Sequence, residues 1–136
     1  MKTWRYEPKK VKKAQLKKDK NGDILYDEND EPIDEEIEID NPFSGFIEIQ
    51  VPTYVERTQY GKKFDINKKD PKATTKYLQA AEDMFNLCEK HTKKVDLKLK
   101  EKPITSLEDL GYYAEGAAII QDLGNVLVQG IPVGEN

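Results

Sequence analysis

Charge runs along this chain in blocks, and the blocks limit its folding more than any other feature. Residues 1–20 carry nine basic groups and two acidic ones, a net of +7. Residues 21–50 carry eleven acidic groups and no basic one, a net of −11. Residues 51–136 carry thirteen of each and balance to zero. Charges this dense cannot be buried without partners, so neither block can supply a core by itself. The core must come from the apolar residues, which are concentrated in the second half. The front is then a mobile arm, or a hairpin that the body or another subunit holds in place.

At 136 residues the chain is the size of one domain. Only 37% of it is hydrophobic, which argues against a large enzyme with a deep cleft. No stretch approaches the roughly 20 apolar residues of a spanning helix, so no membrane partner is expected. The start, MKTWRYEPKK, has no apolar run of the kind a secretory signal needs. The single cysteine, Cys88, excludes an intramolecular disulfide. A reducing cytoplasm is the expected compartment.

Turn residues divide the front. Asn21-Gly22, between Val11–Lys18 and Asp23–Tyr26, predicts a hairpin with a type I′ turn. Glu28-Asn29-Asp30-Glu31-Pro32 signals a second turn. Asp34–Asp40 alternates weakly, with Ile37 and Ile39 opposite Glu36 and Glu38. Asn41-Pro42 and Ser44-Gly45 mark a boundary. Phe46–Val51 then alternates cleanly and predicts a half-buried strand. No internal repeat is evident.

Three helices are predicted after it. Thr53-x-x-Glu56 is a capping box opening a short helix from about Tyr54 to Phe64. Asp65–Asp70 reads as a polar loop. Asp70-Pro71 suits the start of a long helix to about Lys94. Tyr77, Leu78, Ala81, Met84, Phe85, Cys88 and His91 fall on one face of it. Val95, Leu97 and Leu99 alternate as a short strand or connector. Ser106 caps a final helix whose broad apolar surface includes Leu110, Ile119 and the candidate partner or oligomer interface Tyr113, Ala117, Ile120, Leu123 and Leu127. Gly130 ends that helix, and Pro132 and Gly134 lead into the tail. The expected fold is α+β: a polar β-hairpin or extended arm over residues 1–45, then a small, mainly helical three-helix body over 46–136.

The sequence offers little chemistry. Asp19, Asn21 and Asp23 alternate as in a calcium loop, but the sixth position would be Ile24 and the twelfth Asp30. A solvated hairpin is the better reading. Cys88 and His91 share a helix face, yet a small buried thiol and a structural imidazole explain them without catalysis. Lys9, Lys10, Lys12 and Lys13, with Trp4 and Tyr6, could contact phosphates and bases. The acidic block competes for the same lysines, so nucleic acid is not the expected partner. No metal or cofactor is expected.

Three short pieces carry a family resemblance. They are His91-x-x-x-Val95-Asp96-Leu97-Lys98, Ser106–Leu110, and the helix running into Leu127-x-x-Gly130. Over about residues 45–136 the chain resembles the tail assembly chaperones of long-tailed bacteriophages, small proteins made from the gene just before the tape measure. The front hairpin departs from that family's compact pattern. The resemblance implies a mostly helical, oligomerising protein without enzyme activity. It implies a protein that coats the tape measure protein, recruits tail tube protein, and is absent from the finished virion. One alternative is a minor structural virion protein of the tail or connector, whose residues 1–50 add strands to a neighbour. A second is a small nucleic-acid-binding phage protein using the basic arm.

Overall fold

A computed structural model describes residues 2–65 and 69–132. In chain order the elements are β1 (Thr3–Tyr6), β2 (Lys10–Leu16), β3 (Asp34–Asp40), β4 (Phe43–Gln50), α1 (Tyr54–Lys63), α2 (Ala73–His91), β5 (Thr92–Leu99), β6 (Lys102–Ile104), α3 (Leu107–Leu110) and α4 (Ala114–Gln129). β1, β4, β5 and β6 form an antiparallel sheet in that order, and β2 and β3 form a separate two-stranded ribbon.

The expected three-helix body is therefore wrong: four helices stand beside six strands in two antiparallel sheets. Two local competitions explain the difference. The final helix breaks after Leu110, and Tyr113 is extended, with φ −103° and ψ 141°. The break sets the Tyr113 ring edge-on to Phe43 at 5.9 Å. It also lets Gly116 abut the Leu110 carbonyl, which a Cβ there would meet at 1.9 Å. The long helix ends at His91 rather than Lys94, because Thr92 opens β5 and pairs with Ile49. Strand pairing satisfies the backbone there and turns Val95 and Leu97 into the core.

Residues 2–50 make one long hairpin with a bend. Tyr6 pairs with Ile47 in the main sheet, whereas Lys10 pairs with Asp40 in the ribbon. Asn41 fastens the bend. Its Nδ2 donates to the Pro8 carbonyl at 2.8 Å, and its Oδ1 accepts from the Phe43 amide at 2.9 Å. Tyr6, Val11 and Phe43 lie in the same core as Ile47, Ile49, Ile119, Leu123 and Leu127. A division at residue 45 thus cuts through residues that pack together.

The predicted hairpin partner also changes. β2 pairs along its length with β3, and only Lys18 bridges to Ile24 across the Asn21-Gly22 turn. That turn is not type I′: Gly22 has φ 84°, but Asn21 is not at positive φ. It is a three-residue loop, a type I turn closed by a left-handed residue. A second loop repeats it eight residues later. Asp19 Oδ1 accepts from the Asn21 and Asp23 amides, and Asp27 Oδ1 accepts from the Asn29 and Glu31 amides. Asp30, at φ 59°, stands where Gly22 does. A short repeat, Asp19–Tyr26 and Asp27–Asp34, is present after all. Ribbon and loops meet in a closed triangle of backbone bonds. Lys17 donates to Ile33 at 2.7 Å, Ile33 to Leu25 at 3.0 Å, and Leu25 to Lys17 at 2.9 Å.

The caps read at Thr53 and Ser106 are observed, whereas the start read at Asp70-Pro71 is displaced. Thr53 and Glu56 exchange both bonds of the capping box, at 3.2 and 3.0 Å. The Asp109 amide donates to Ser106 Oγ at 3.1 Å. Asp70 caps the turn before α2 through the Lys72 amide at 2.8 Å, and helical geometry begins at Ala73. Residues 66–68 of the predicted polar loop, and Gly134 of the tail, lie outside the described residues.

Candidate functional site

α2 is buried only toward its C-terminal end, where Leu87, Cys88 and His91 enter the core. Its first two turns stand clear. Tyr77 is 45% and Leu78 71% exposed, although their periodicity matches that of the buried residues. Further along, α2 crosses α4 at Gly124, where a Cβ would sit 2.1 Å from Met84 Sδ. The crossing leaves a cleft of about 800 Å³ beside it, lined by Phe64, Tyr77, Met84, Phe85, Tyr112 and Ile120. Ala80, Ala81 and Ala117 keep its walls low. Tyr112 is 78% exposed at its edge. Aromatic rings, a methionine and small residues around an open groove suit an apolar helix face, because a thioether adapts its shape to the ridge it meets.

The five predicted interface residues separate into two groups. Leu123 and Leu127 are fully buried, and Ile120 is 8% exposed, so the chain's own core accounts for most of their surface. Ala117 is exposed and borders the α2–α4 cleft. Tyr113 is half-buried, and Lys102 Nζ donates to its hydroxyl at 3.1 Å. Sequence reasoning did not find Tyr112. A large aromatic two residues after a helix end was its only signal.

The four predicted phosphate-contacting lysines lie at the base of the ribbon. Lys10 pairs with Asp40, which lifts the lysine pKa and lowers that of the carboxyl. Lys13 reaches Glu115 of α4 at 3.5 Å. Lys12 stands opposite Glu38 in the register. The Lys9 carbonyl accepts from the Asn41 amide at 3.0 Å. The charge blocks thus meet across the ribbon, as their order along the chain implied. Asp19, the first ligand of the calcium-loop alignment, spends its Oδ1 on two amides of its own turn.

Cys88 and His91 do not form a pair. The Cys88 thiol is directed to the Ile120 carbonyl at 3.5 Å, and burial pushes it up to about 12, far from a nucleophilic thiolate. His91 belongs to a relay between α1, α2 and β4. Its Nδ1 lies 2.9 Å from the Gln50 carbonyl, which only accepts, so that nitrogen carries the proton. Nε2 then accepts from the Tyr60 hydroxyl at 2.9 Å. Glu56 Oε2 lies 3.4 Å from the same hydroxyl. Both ring nitrogens of His91 are thus hydrogen-bonded, as a structural imidazole requires.

Among the described residues no three His, Cys, Asp or Glu side chains are grouped to hold a metal ion, and no helix is long and apolar enough to cross a membrane. No family model matches the chain, and no curated protein or solved structure matches it either.

Proposed function

We propose that this chain is a non-catalytic tail assembly chaperone of a long-tailed bacteriophage, working in the host cytoplasm. In this reading it holds an amphipathic helix of the tape measure protein in the cleft between α2 and α4. The observation that carries the proposal is the pair of exposed apolar side chains Tyr77 and Leu78 on the free half of α2, with Tyr77 entering a cleft of about 800 Å³ whose lining is mainly aromatic and aliphatic, with Glu108, Gln121 and Asn125 its polar members. Exposed apolar surface gathered in one groove marks a partner site more often than a catalytic one. Of the residues that carry the resemblance, Val95, Leu97, Leu107 and Leu110 lie in the core, and Glu108 of α3 borders the cleft. Tail tube protein would bind elsewhere on the same assembly.

Co-expression with the tape measure product of the same genome tests this. The chain should keep that product soluble and co-purify with it, and Tyr112→Asp with Leu78→Asp should abolish both effects. Failure of the wild-type chain to solubilise it would sink the proposal. A second reading, a minor structural virion protein, draws on the ribbon, both of whose strands have a free edge. Detection of the chain in finished particles would favour it.

A further inference from the structure

The ribbon has two free edges of opposite charge, and their backbones are set up to meet. The Asn41 amide bonds Lys9, and the Lys17 amide bonds Ile33, at the two ends of one ladder. Bonded pairs alternate along an antiparallel ladder, so odd-numbered residues of β2 bond β3. The amides and carbonyls of Lys10, Lys12 and Ala14 therefore point away from β3. Those of Glu36, Glu38 and Asp40 point away from β2. Among the described residues neither edge has a further strand beside it. Lys12 and Glu36 form no ion pair among the described residues.

We propose that the chain assembles head to tail through this ribbon, with the acidic edge of β3 in one copy adding as a strand to the basic edge of β2 in the next. Three observations select a second copy as the occupant. The two edges are each seven residues long, so they match over their length. Like edges repel: β2 against β2 opposes lysines, and β3 against β3 opposes carboxylates, which leaves only the unlike pairing. Copies of the ribbon placed side by side in one direction put β3 antiparallel to the next β2, so the ladder continues in its more stable form. The receiving side has room. A cleft of about 980 Å³ runs between the ribbon and α4, bordered by Trp4, Lys12, Ala14, Glu36, Glu38 and Asp122. Trp4 Nε1, beside this cleft, is buried without a hydrogen-bond partner among the described residues. Because the contact joins two different surfaces, it builds a ring or a filament rather than a closed pair. This does not rest on the α2–α4 cleft or on the identity of any client.

Sedimentation velocity of the full chain over a range of concentration and salt tests the proposal. The wild-type mass should rise with concentration and fall toward the monomer as salt screens the edges. Ala14→Pro and Glu36→Pro each remove an outward amide and leave the ladder bonds intact, a position where a strand tolerates proline. Each variant alone should be monomeric. Mixed, they should form a dimer and nothing larger, because one free edge of each sign remains. Circular dichroism checks that both fold. Lys12→Glu reverses the β2 edge without touching the backbone and should also lose the larger species. A wild-type chain that stays monomeric overturns the proposal, even if a synthetic peptide of the β3 sequence shifts Trp4 emission, a result that would assign the edge to a foreign acidic strand. Assembly that survives both prolines and Lys12→Glu overturns it equally.

Discussion

Replacing Tyr6 measures whether the first strand belongs to the same cooperative unit as the helices. Tyr6 is 4% exposed, stands edge-on to Trp4 at 5.8 Å, and donates its hydroxyl to the Asp122 carboxylate of α4. Tyr6→Phe removes that bond and keeps the buried ring. Hydrogen bonds to charged groups are worth about 1.5–3 kcal/mol, but Asp122 is exposed to solvent, which brings the expected loss down to about 1 kcal/mol. Tyr6→Ala also empties the ring's place between β4 and α4, and burial this complete puts the total near 4 kcal/mol. Against a domain stability of about 5–15 kcal/mol, the alanine variant would be marginal. Urea unfolding followed by far-ultraviolet circular dichroism reads the helices, not the ribbon. Both variants should lower the helical midpoint in the ratio of roughly one to four, with an unchanged slope. A Tyr6→Ala chain whose helices unfold within about 1 kcal/mol of wild type would refute the shared core and restore a separable front arm.

Three further outcomes follow from single sites. Leu127→Asp places an unpaired carboxylate where the wild-type side chain is fully buried and should cost about 4 kcal/mol or more, read as loss of the folded dispersion in a proton NMR spectrum. The native Cys88 thiol stays protonated to about 12, whereas an unfolded thiol ionises near 9.0, so in that window the unfolded chain binds fewer protons and stability falls as pH rises. Cys88→Ala should flatten that part of a denaturation-midpoint profile, and an unchanged slope would show another group responsible. Thr53→Ala removes the hydroxyl that accepts from the Glu56 amide, leaves the backbone amide bonded to the Glu56 carboxylate, and should cost about 1 kcal/mol, seen as a lowered thermal midpoint.

Much of the local structure was legible because its causes are local. Thr53 and Glu56 lie three residues apart and reach each other within one turn. Ile47 and Ile49 alternate with Glu48 and Gln50, and both isoleucines are fully buried. The candidate cleft was harder to read. Tyr77 and Leu78 follow the same period as Cys88, and a periodic stripe cannot say where its neighbour ends. The protein's own helix α4 covers one half of the stripe and leaves the other free, so one pattern serves as core and as open surface. Tyr112 lies in a break between helices that depends on Phe43, nearly seventy residues earlier.

The sequence by itself determined that the −11 block competes for the lysines of the +7 block, and left open a mobile arm or a held hairpin. It also determined which residues cap and which alternate. Only the tertiary structure decided where the blocks meet. The nearest turn, at Asn21-Gly22, offered a short hairpin with Asp23–Tyr26. The chain instead closes a longer loop and pairs all of β2 with β3, because seven paired residues, the Lys10–Asp40 ion pair and the burial of Val11 beside Ile39 outweigh the small extra closure entropy. Loop closure grows slowly with length, whereas pairing grows with every residue. The front of the molecule is therefore a ribbon of facing unlike charges rooted in the core rather than a mobile arm.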